Sequence, residues 1–189
     1  MNEVRLADVP PQPWRNGGGT TRALLAWPEA DDWQLRVSVA TIAADGDFSA
    51  WPDTERWFAV VDGAGVTLAL PDGEVTLLSG DPPQRFSGAA APGCKLLDGP
   101  TQDLNFMVRQ GGDSPGGIGD MRRAYPGSRA SAFAAWRGLY AADALMLEMD
   151  GAVMPVAAGT LLWLATEQAV GWQVQGGDAR AWWLSWRAR

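Results

Sequence analysis

WQLRVSVATI, residues Trp33–Ile42, alternates apolar and polar side chains along most of its length. A period of two places successive side chains on opposite faces of a β-strand. Leu35 and Val37 therefore belong to an apolar face, whereas Arg36 and Ser38 belong to the other. The stretch predicts a strand whose second face carries a guanidinium and a hydroxyl group. That face is either exposed to solvent or directed into a barrel, where both groups could donate to an anion.

Short segments of the same kind recur on both sides of this strand, separated by Gly, Pro and Asp turns. The Pro71–Gly73 turn between two of them is typical of a hairpin. The alanine-rich segment 130–144 is the exception, because propensity alone predicts helix for part of it. Many short, evenly spaced strands indicate an all-β sandwich or barrel. Strands are predicted at 33–42, 56–62, 66–70, 74–78, 84–87, 95–97, 103–109, 145–149, 159–165, 170–175 and 181–186.

A glycine-rich stretch divides the chain. Residues Gly111–Gly119 contain five glycines and one proline, which is typical of a linker or a lid. The length of 189 residues fits one domain or two small ones. We expect a first domain over residues 1–112 and a smaller second one over 113–189. No internal sequence repeat is evident, although two similar sets of strands need not share one.

Charge and cysteine content exclude several classes of function. The formal net charge of −7 argues against nucleic acid as a partner. It leaves a small anion open, because a few inward-facing arginines can make a positive pocket in an acidic protein. A single cysteine, Cys94, permits no intrachain disulfide, which suits a reducing cytoplasm. The chain shows no signal peptide and no apolar run that could cross a membrane, so we expect a cytoplasmic protein and no membrane partner.

The chain contains no histidine. This excludes Ser-His-Asp and Cys-His catalysis and removes the imidazole ligands of zinc, iron and copper sites. No pair of carboxylates stands out as an acid and base. We therefore assign no catalytic residue, no metal site and no cofactor, and an enzyme that works without metal remains the alternative to a binding protein.

The segment Pro13–Arg22 reads PWRNGGGTTR and places polar groups around three glycines. It matches neither the spacing of a P-loop nor that of a dinucleotide fingerprint. The glycines by themselves indicate a turn between two strands. Their neighbours Arg15 and Asn16 could instead hold a small polar molecule, and we count both as candidate ligand-binding residues.

Three further candidates lie on predicted strands. If Arg56 faces the same cavity as Arg36, the two arginines could bind a dicarboxylate; otherwise Arg56 forms a surface ion pair. Asp103 and Asn105 are two residues apart and share a face. Near arginines, Asp103 fits the role of an arginine partner best, with a general base as the alternative.

The eleven tryptophans fit core packing. Trp182, Trp183 and Trp186 could instead form the contact surface of a homodimer, because aromatic side chains concentrate at interface cores. A dimerising scaffold is therefore a third possible function.

Five segments in order resemble the HutD/Ves family of bacterial proteins. They are spread over nearly all of residues 10–110: Pro13–Arg22, Trp33–Ile42, Asp45–Arg56 (DGDFSAWPDTER), Val61–Gly63 and Leu96–Arg109 (LLDGPTQDLNFMVR). The region after Gly111 matches more loosely.

The resemblance implies a bicupin, with two RmlC-like jelly-roll β-barrels packed in one chain. The first barrel would hold the ligand pocket. The implied function is to bind an anionic intermediate of histidine degradation, such as N-formylglutamate or urocanate, and to modulate histidine utilisation. The metal site of many cupins needs histidines and cannot form here. By resemblance the pocket residues are Arg15, Asn16, Arg36, Ser38, Arg56, Asp103 and Asn105.

Overall fold

A computed structural model describes residues 1–111 and 116–189 and shows an all-β protein without an α-helix in those ranges. The all-β prediction is confirmed. The predicted boundary at 112/113 and part of the predicted linker lie outside the described residues. Two compact units are present, formed by Val9–Gly117 and by Met1–Asp8 with Ile118–Arg189. In the described ranges no helix is long and apolar enough to cross a membrane.

The Val9–Gly117 unit consists of a six-stranded sheet, in the order β2-β3-β4-β11-β6-β9, and a four-stranded sheet, β5-β10-β7-β8. Neighbouring strands are antiparallel throughout. The strands are β2 (Gln12–Pro13), β3 (Gly19–Pro28), β4 (Trp33–Ile42), β5 (Gly46–Asp47), β6 (Thr54–Asp62), β7 (Val66–Leu70), β8 (Gly73–Leu77), β9 (Gln84–Ser87), β10 (Gly93–Leu96) and β11 (Thr101–Arg109).

The second unit pairs a five-stranded sheet, β1-β16-β13-β18-β12, with a three-stranded sheet, β15-β14-β17. Its strands are β1 (Asn2–Arg5), β12 (Gly117–Arg123), β13 (Trp136–Ala141), β14 (Leu145–Met149), β15 (Ala152–Val156), β16 (Thr160–Ala165), β17 (Trp172–Gln175) and β18 (Ala181–Ala188). The unit includes the N terminus, because β1 pairs with β16 from Asn2 opposite Trp163 to Arg5 opposite Thr160. Residues 1–8 therefore do not join the unit to which the sequence assigned them.

The same topology occurs twice. Strands β6 to β11 distribute into the sheets as β11-β6-β9 and β10-β7-β8, and strands β13 to β18 distribute as β18-β13-β16 and β17-β14-β15. Each set of six strands thus alternates between two facing sheets in the same order, although the sequence shows no repeat. The duplication agrees with two jelly rolls. Each unit is a pair of sheets, and the closure of these sheets into barrels remains a prediction.

A hydrophobic core lies between the two sheets of each unit. In the Val9–Gly117 unit, Phe58 and Val60 of β6 pack with Leu68 of β7 and Cys94 of β10. In the other unit, eleven buried residues form the core, among them Leu139, Leu147, Trp172 and Trp183. Trp182, Trp183 and Trp186 are 0%, 2% and 7% exposed. They are core residues, so the predicted tryptophan contact surface is wrong; a homodimer remains untested.

Several strands of the structure, among them β3, β12, β13 and β15, were not predicted. The alanine-rich segment contains strand β13, because Trp136–Ala141 pairs along its whole length with β16 and β18 and this long-range pairing overrides helix propensity. Strand β3 was not predicted at all. Its register shifts between Ala23 and Leu25 and again between Trp27 and Pro28, and such bulges destroy the alternation that reveals a strand.

Candidate functional site

The candidate site lies on the inner face of the six-stranded sheet. On the central strand β11, Met107 lies opposite Arg36 of β4 and Arg56 of β6. One row further along the strands, Asn105 lies opposite Ser38 and Phe58. Directly paired residues point to the same face of a sheet, so the polar side chains of three strands converge there.

These side chains line a cavity of about 460 Å³ in the Val9–Gly117 unit. All seven residues predicted from the sequence reach it: Arg15, Asn16, Arg36, Ser38, Arg56, Asp103 and Asn105. The structure thus brings them together, and their role in binding a ligand stays a prediction. The remaining lining residues are Gln12, Pro13, Trp14, Thr21, Ala40, Asp47, Phe48, Ser49, Trp51 and Met107.

Arg56 is the buried cation of the cavity, with 6% of its surface exposed. Its guanidinium carbon lies 5.1 Å from the ring centre of Phe48 and 5.3 Å from that of Phe86. Burial lowers the pKa of Arg56 to about 10, an effect that Asp103 partly offsets, so the side chain remains charged at neutral pH. Its Nε has no hydrogen-bond partner among the described residues. A buried guanidinium N–H without a partner is costly, and an anion in the cavity would satisfy it.

Asn105 connects Arg56 to Asp103. Arg56 Nη2 donates to Asn105 Oδ1 at 2.6 Å, and Asn105 Nδ2 donates to Asp103 Oδ2. These two bonds fix the orientation of the amide, because its oxygen faces a donor and its nitrogen faces an acceptor. Burial raises the pKa of Asp103 to about 7, against the opposing effects of Arg56 and Asn105. Asp103 is therefore a partner of Arg56 through Asn105 rather than by direct contact.

Arg36 is half-buried and lies between aromatic rings. Its guanidinium carbon is 4.9 Å from the ring centre of Trp51 and 5.6 Å from that of Trp33. Burial lowers its pKa below the usual arginine value. No carboxylate among the described residues pairs with Arg36. Cation–π contacts hold the guanidinium in place and leave its N–H groups available to an anion.

The glycine loop shapes one wall of the cavity. Gly17 has a φ of +73°, a conformation that favours glycine. A Cβ on Gly19 would lie 2.3 Å from the carbonyl oxygen of Thr41 and 3.1 Å from the ring of Trp14. The Asn16 side chain accepts from the Gly18 N–H at 3.0 Å, so it also braces the loop. Arg15 is exposed and has no ion-pair partner among the described residues.

Aromatic residues that the sequence reasoning missed complete the cavity. Trp14 packs edge-on against Phe48, with ring centres 6.5 Å apart, and its Nε1 donates to Thr21 Oγ1 at 2.7 Å. Phe48 and Trp51 lie on the loop between β5 and β6, within the segment DGDFSAW. The two aromatic residues of this short loop were the signal in the sequence from which an aromatic wall could have been predicted. The Phe48 ring lies against Arg56 and the Trp51 ring against Arg36.

The other reactive groups of the chain are not poised for chemistry. Burial raises the pKa of both Cys94 and Tyr140 to about 12, so neither ionises near neutral pH. Only the thiolate of a cysteine is a good nucleophile. Within residues 1–111 and 116–189, no group of three Cys, Asp or Glu side chains could hold a metal ion.

The other unit uses its corresponding arginine differently. Arg137 lies two residues before the core residue Leu139 of β13, as Arg56 lies two residues before the core residue Phe58 of β6, and Arg137 is fully buried. Its guanidinium donates to the backbone carbonyls of Ser131, Ala134, Thr166 and Gln168. These bonds join two loops to the strand and leave no polar face for a ligand. Arg137 is thus a structural residue.

A second cavity of about 460 Å³ lies in that unit, and its lining is mostly apolar. Its charged residues are Glu3 and Arg5, whose Oε1 and Nε atoms are 2.6 Å apart. An arginine that is already paired offers little to an anion. The two cavities each have a volume of about 460 Å³, but one has a mostly apolar lining and the other contains three arginines. Of these two, the cavity in Val9–Gly117 has the charges that an anionic ligand needs.

The fold and the cavity together define a class of protein. It is an all-β protein in which one strand topology occurs twice, with an arginine-lined cavity in one unit and no histidine with which to bind a metal. The cupin 2 conserved barrel domain protein of Leptotrichia buccalis has a similar fold, with a TM-score of 0.57 at 9% identity over 100% of this chain and 97% of that one. The fold is cupin-like.

The chain belongs to the HutD family, whose model matches residues 6–182. Protein Ves of Citrobacter koseri is 35% identical over 112 residues, which cover 58% of this chain and 59% of the relative. An uncharacterized protein in the hutC 3′ region of Pseudomonas putida is 36% identical over 108 residues, 55% of this chain and 56% of the relative. The chain thus matches less than two thirds of the length of these curated relatives.

HutD of Pseudomonas fluorescens SBW25 has a similar structure. The TM-score is 0.84 at 22% identity, and the match covers 100% of this chain and 98% of that one. At this identity the likeness concerns the fold. The predicted relationship to HutD and Ves proteins is confirmed by the family model and by the sequence relatives.

Proposed function

We propose that the cavity in Val9–Gly117 binds a small metabolite with carboxylate groups, and that the protein acts as a binding protein rather than a catalyst. The observation that carries this proposal is the buried Arg56 Nε, which has no partner among the described residues and belongs to a cavity-lining side chain. A ligand carboxylate that accepts a charge-assisted hydrogen bond from Nε would satisfy it. Ser38 and Asn16 would orient the ligand.

The spacing of the arginines supports a ligand with two carboxylates. Arg36 and Arg56 both pair with Met107, on the strands either side of it. Strands lie about 4.8 Å apart, so the two Cα atoms are roughly 10 Å apart and both long side chains enter the same space. Two long cationic side chains that enter one cavity from strands on either side of β11 suit a short dicarboxylate.

The family supports a role in histidine utilisation. The family model is HutD, and one relative is a protein from the hutC 3′ region. Among histidine-degradation intermediates, N-formylglutamate carries two carboxylates and urocanate carries one. We propose a ligand of this type, whose binding tunes the use of histidine without metal or cofactor.

Isothermal titration calorimetry with N-formylglutamate and urocanate tests the proposal. We expect one site per chain and at least a tenfold loss of affinity in Arg36→Ala, because a charged hydrogen bond contributes about 1.5–3 kcal/mol. The matched control is Arg85→Ala, since Arg85 pairs with Glu55 and does not line the cavity. No heat with either compound, or equal affinity of Arg36→Ala and wild type, would contradict the proposal.

A metal-independent enzyme is the second candidate, and Asp103 is the observation that favours it. A buried carboxyl whose pKa lies near 7, beside arginines in a cavity, has the properties of a general base. Product formation from either compound that disappears in Asp103→Asn would establish catalysis. If no product forms at concentrations that saturate the site detected by calorimetry, the protein binds the compound without converting it.

A further inference from the structure

Asp103 is the buried carboxyl group of the cavity, with 1% of its surface exposed. It lies on the central strand β11, opposite Ala40 of β4 and Val60 of β6. Its immediate hydrogen-bond partner is the Asn105 amide, and the nearest cation in that chain of bonds is Arg56. A carboxylate in such a place is poorly hydrated, so any further negative charge beside it is strongly unfavourable.

Each element around Asp103 contributes few ionisable groups. The thiol of Cys94, on the opposite sheet, keeps its proton because burial raises its pKa to about 12. Asp47 is exposed. The ionisable residues of the cavity lining and of the facing strand are Arg15 on the glycine loop, Arg36 on β4, Asp47 at the end of β5, Arg56 on β6, Cys94 and the exposed Lys95 on β10, and Asp103 itself.

The charges of the lining residues define what the cavity accepts. Arg15, Arg36 and Arg56 supply three positive charges, and Asp47 and Asp103 supply two negative ones when both are ionised. Without a ligand, the lining residues therefore carry a net charge of +1. A dicarboxylate would reverse it to one negative charge, whereas a dicarboxylate together with one proton leaves the cavity neutral.

We propose that the cavity binds a dicarboxylate together with one proton from solvent, and that Asp103 holds this proton. The inference rests on the proposed anion-binding function and names the ligand class and its linkage to pH. When the ligand enters, one Asp103 oxygen gains a proton and can donate it to a ligand carboxylate oxygen. Such O–H to carboxylate bonds are short and strong. No other bond is made or broken, and the bound ligand keeps both negative charges.

The free protein is prepared for this step. Burial already raises the pKa of Asp103 to about 7, so protonation near neutral pH costs little. An incoming carboxylate raises the pKa further by repulsion. The Asn105 amide keeps its orientation throughout, because Asp103 retains a second oxygen that accepts from Asn105 Nδ2.

The test is isothermal titration calorimetry with glutarate at pH 8, once in HEPES and once in Tris. Glutarate is a dicarboxylate with no other polar group. These buffers absorb different amounts of heat when they give up a proton, so the difference in binding heat between them gives the number of protons taken up. We expect between about half a proton and one proton per glutarate, and an affinity that falls by up to about tenfold per pH unit above neutrality. The Asp103→Asn variant should bind with equal heats in both buffers, and Asp98→Asn, a change at an exposed aspartate outside the cavity lining, should behave as wild type.

Wild-type heats that agree in both buffers would overturn proton uptake while leaving anion binding intact. Unchanged uptake in Asp103→Asn would remove Asp103 as the acceptor. If neither glutarate nor N-formylglutamate produces heat, the binding function itself fails and this inference fails with it. Should Asp103→Asn not fold, the infrared band of a protonated carboxyl group in wild-type protein must still appear on addition of glutarate, and its absence would contradict the inference.

Discussion

At the scale of residues, the cavity depends on a short chain of polar contacts. Arg56, Asn105 and Asp103 are all buried and are joined by two hydrogen bonds. The Asn105 amide cannot rotate without losing both of these hydrogen bonds, because its oxygen accepts from Arg56 and its nitrogen donates to Asp103. The outcome is a buried cation whose Nε has no hydrogen-bond partner among the described residues.

The buried carboxyl predicts how stability changes with pH. The folded protein holds the Asp103 proton up to a pKa of about 7, whereas the unfolded chain loses it above about pH 4. Stability contributed through this group is therefore lost as pH rises from about 4 to about 7 and is constant outside that window. The free energy of unfolding of Asp103→Asn, relative to wild type, should increase by about 2–3 kcal/mol between pH 5 and pH 8.

Urea denaturation of both proteins across this pH range measures the difference, with Asp47→Asn as the exposed control. Curves of unfolding free energy that run parallel for Asp103→Asn and wild type would show that the Asp103 carboxyl ionises normally in the folded state.

At the scale of elements, the glycine loop and strand β3 hold one wall of the cavity. The Gly18 carbonyl accepts from Ala43 N at 2.8 Å and from Ala44 N at 3.2 Å, and the Gly19 carbonyl accepts from Trp14 N at 2.9 Å. A positive φ accounts for Gly17 and close backbone approach for Gly19, with no contact to a phosphate required. The loop in turn positions the Trp14 ring against Phe48.

Gly19→Ala should damage both the loop and the site. Its Cβ would lie 2.3 Å from a backbone oxygen, which is fixed within β4 and shifts only at a cost. We expect a loss of about 1–3 kcal/mol in the free energy of unfolding and weaker ligand binding as Trp14 and Arg15 move. Gly46→Ala is the matched control, since nothing lies within 4 Å of its Cβ. If wild type and Gly19→Ala unfold at the same temperature, this explanation of the loop is wrong.

Sequence patterns predicted the strands that alternate cleanly, and with them the site. Strand β4 has the predicted bounds, and its alternation placed Arg36 and Ser38 on the cavity face. Strand β3 escaped prediction because its two register shifts break the alternation. Phe48 and Trp51 escaped because the direction of a loop side chain depends on distant strands rather than on its neighbours in sequence.

At the scale of the whole molecule, two units of the same topology have different interiors. In one unit Arg56 retains an N–H without a partner in a polar cavity, and in the other Arg137 donates to four backbone carbonyls. The second unit also includes the N-terminal strand β1, a long-range pairing that no local pattern reveals. The two units therefore share a strand topology, whereas the arginine-lined cavity lies in Val9–Gly117.

The most direct test of the anion-binding cavity is a crystal structure of the protein grown with saturating N-formylglutamate. We predict ligand density in the Val9–Gly117 cavity alone, with one carboxylate within hydrogen-bond distance of Arg56 Nε and the other near the Arg36 guanidinium. A cavity that holds only water under these conditions, or ligand bound only in the apolar cavity of the other unit, would contradict the central claim.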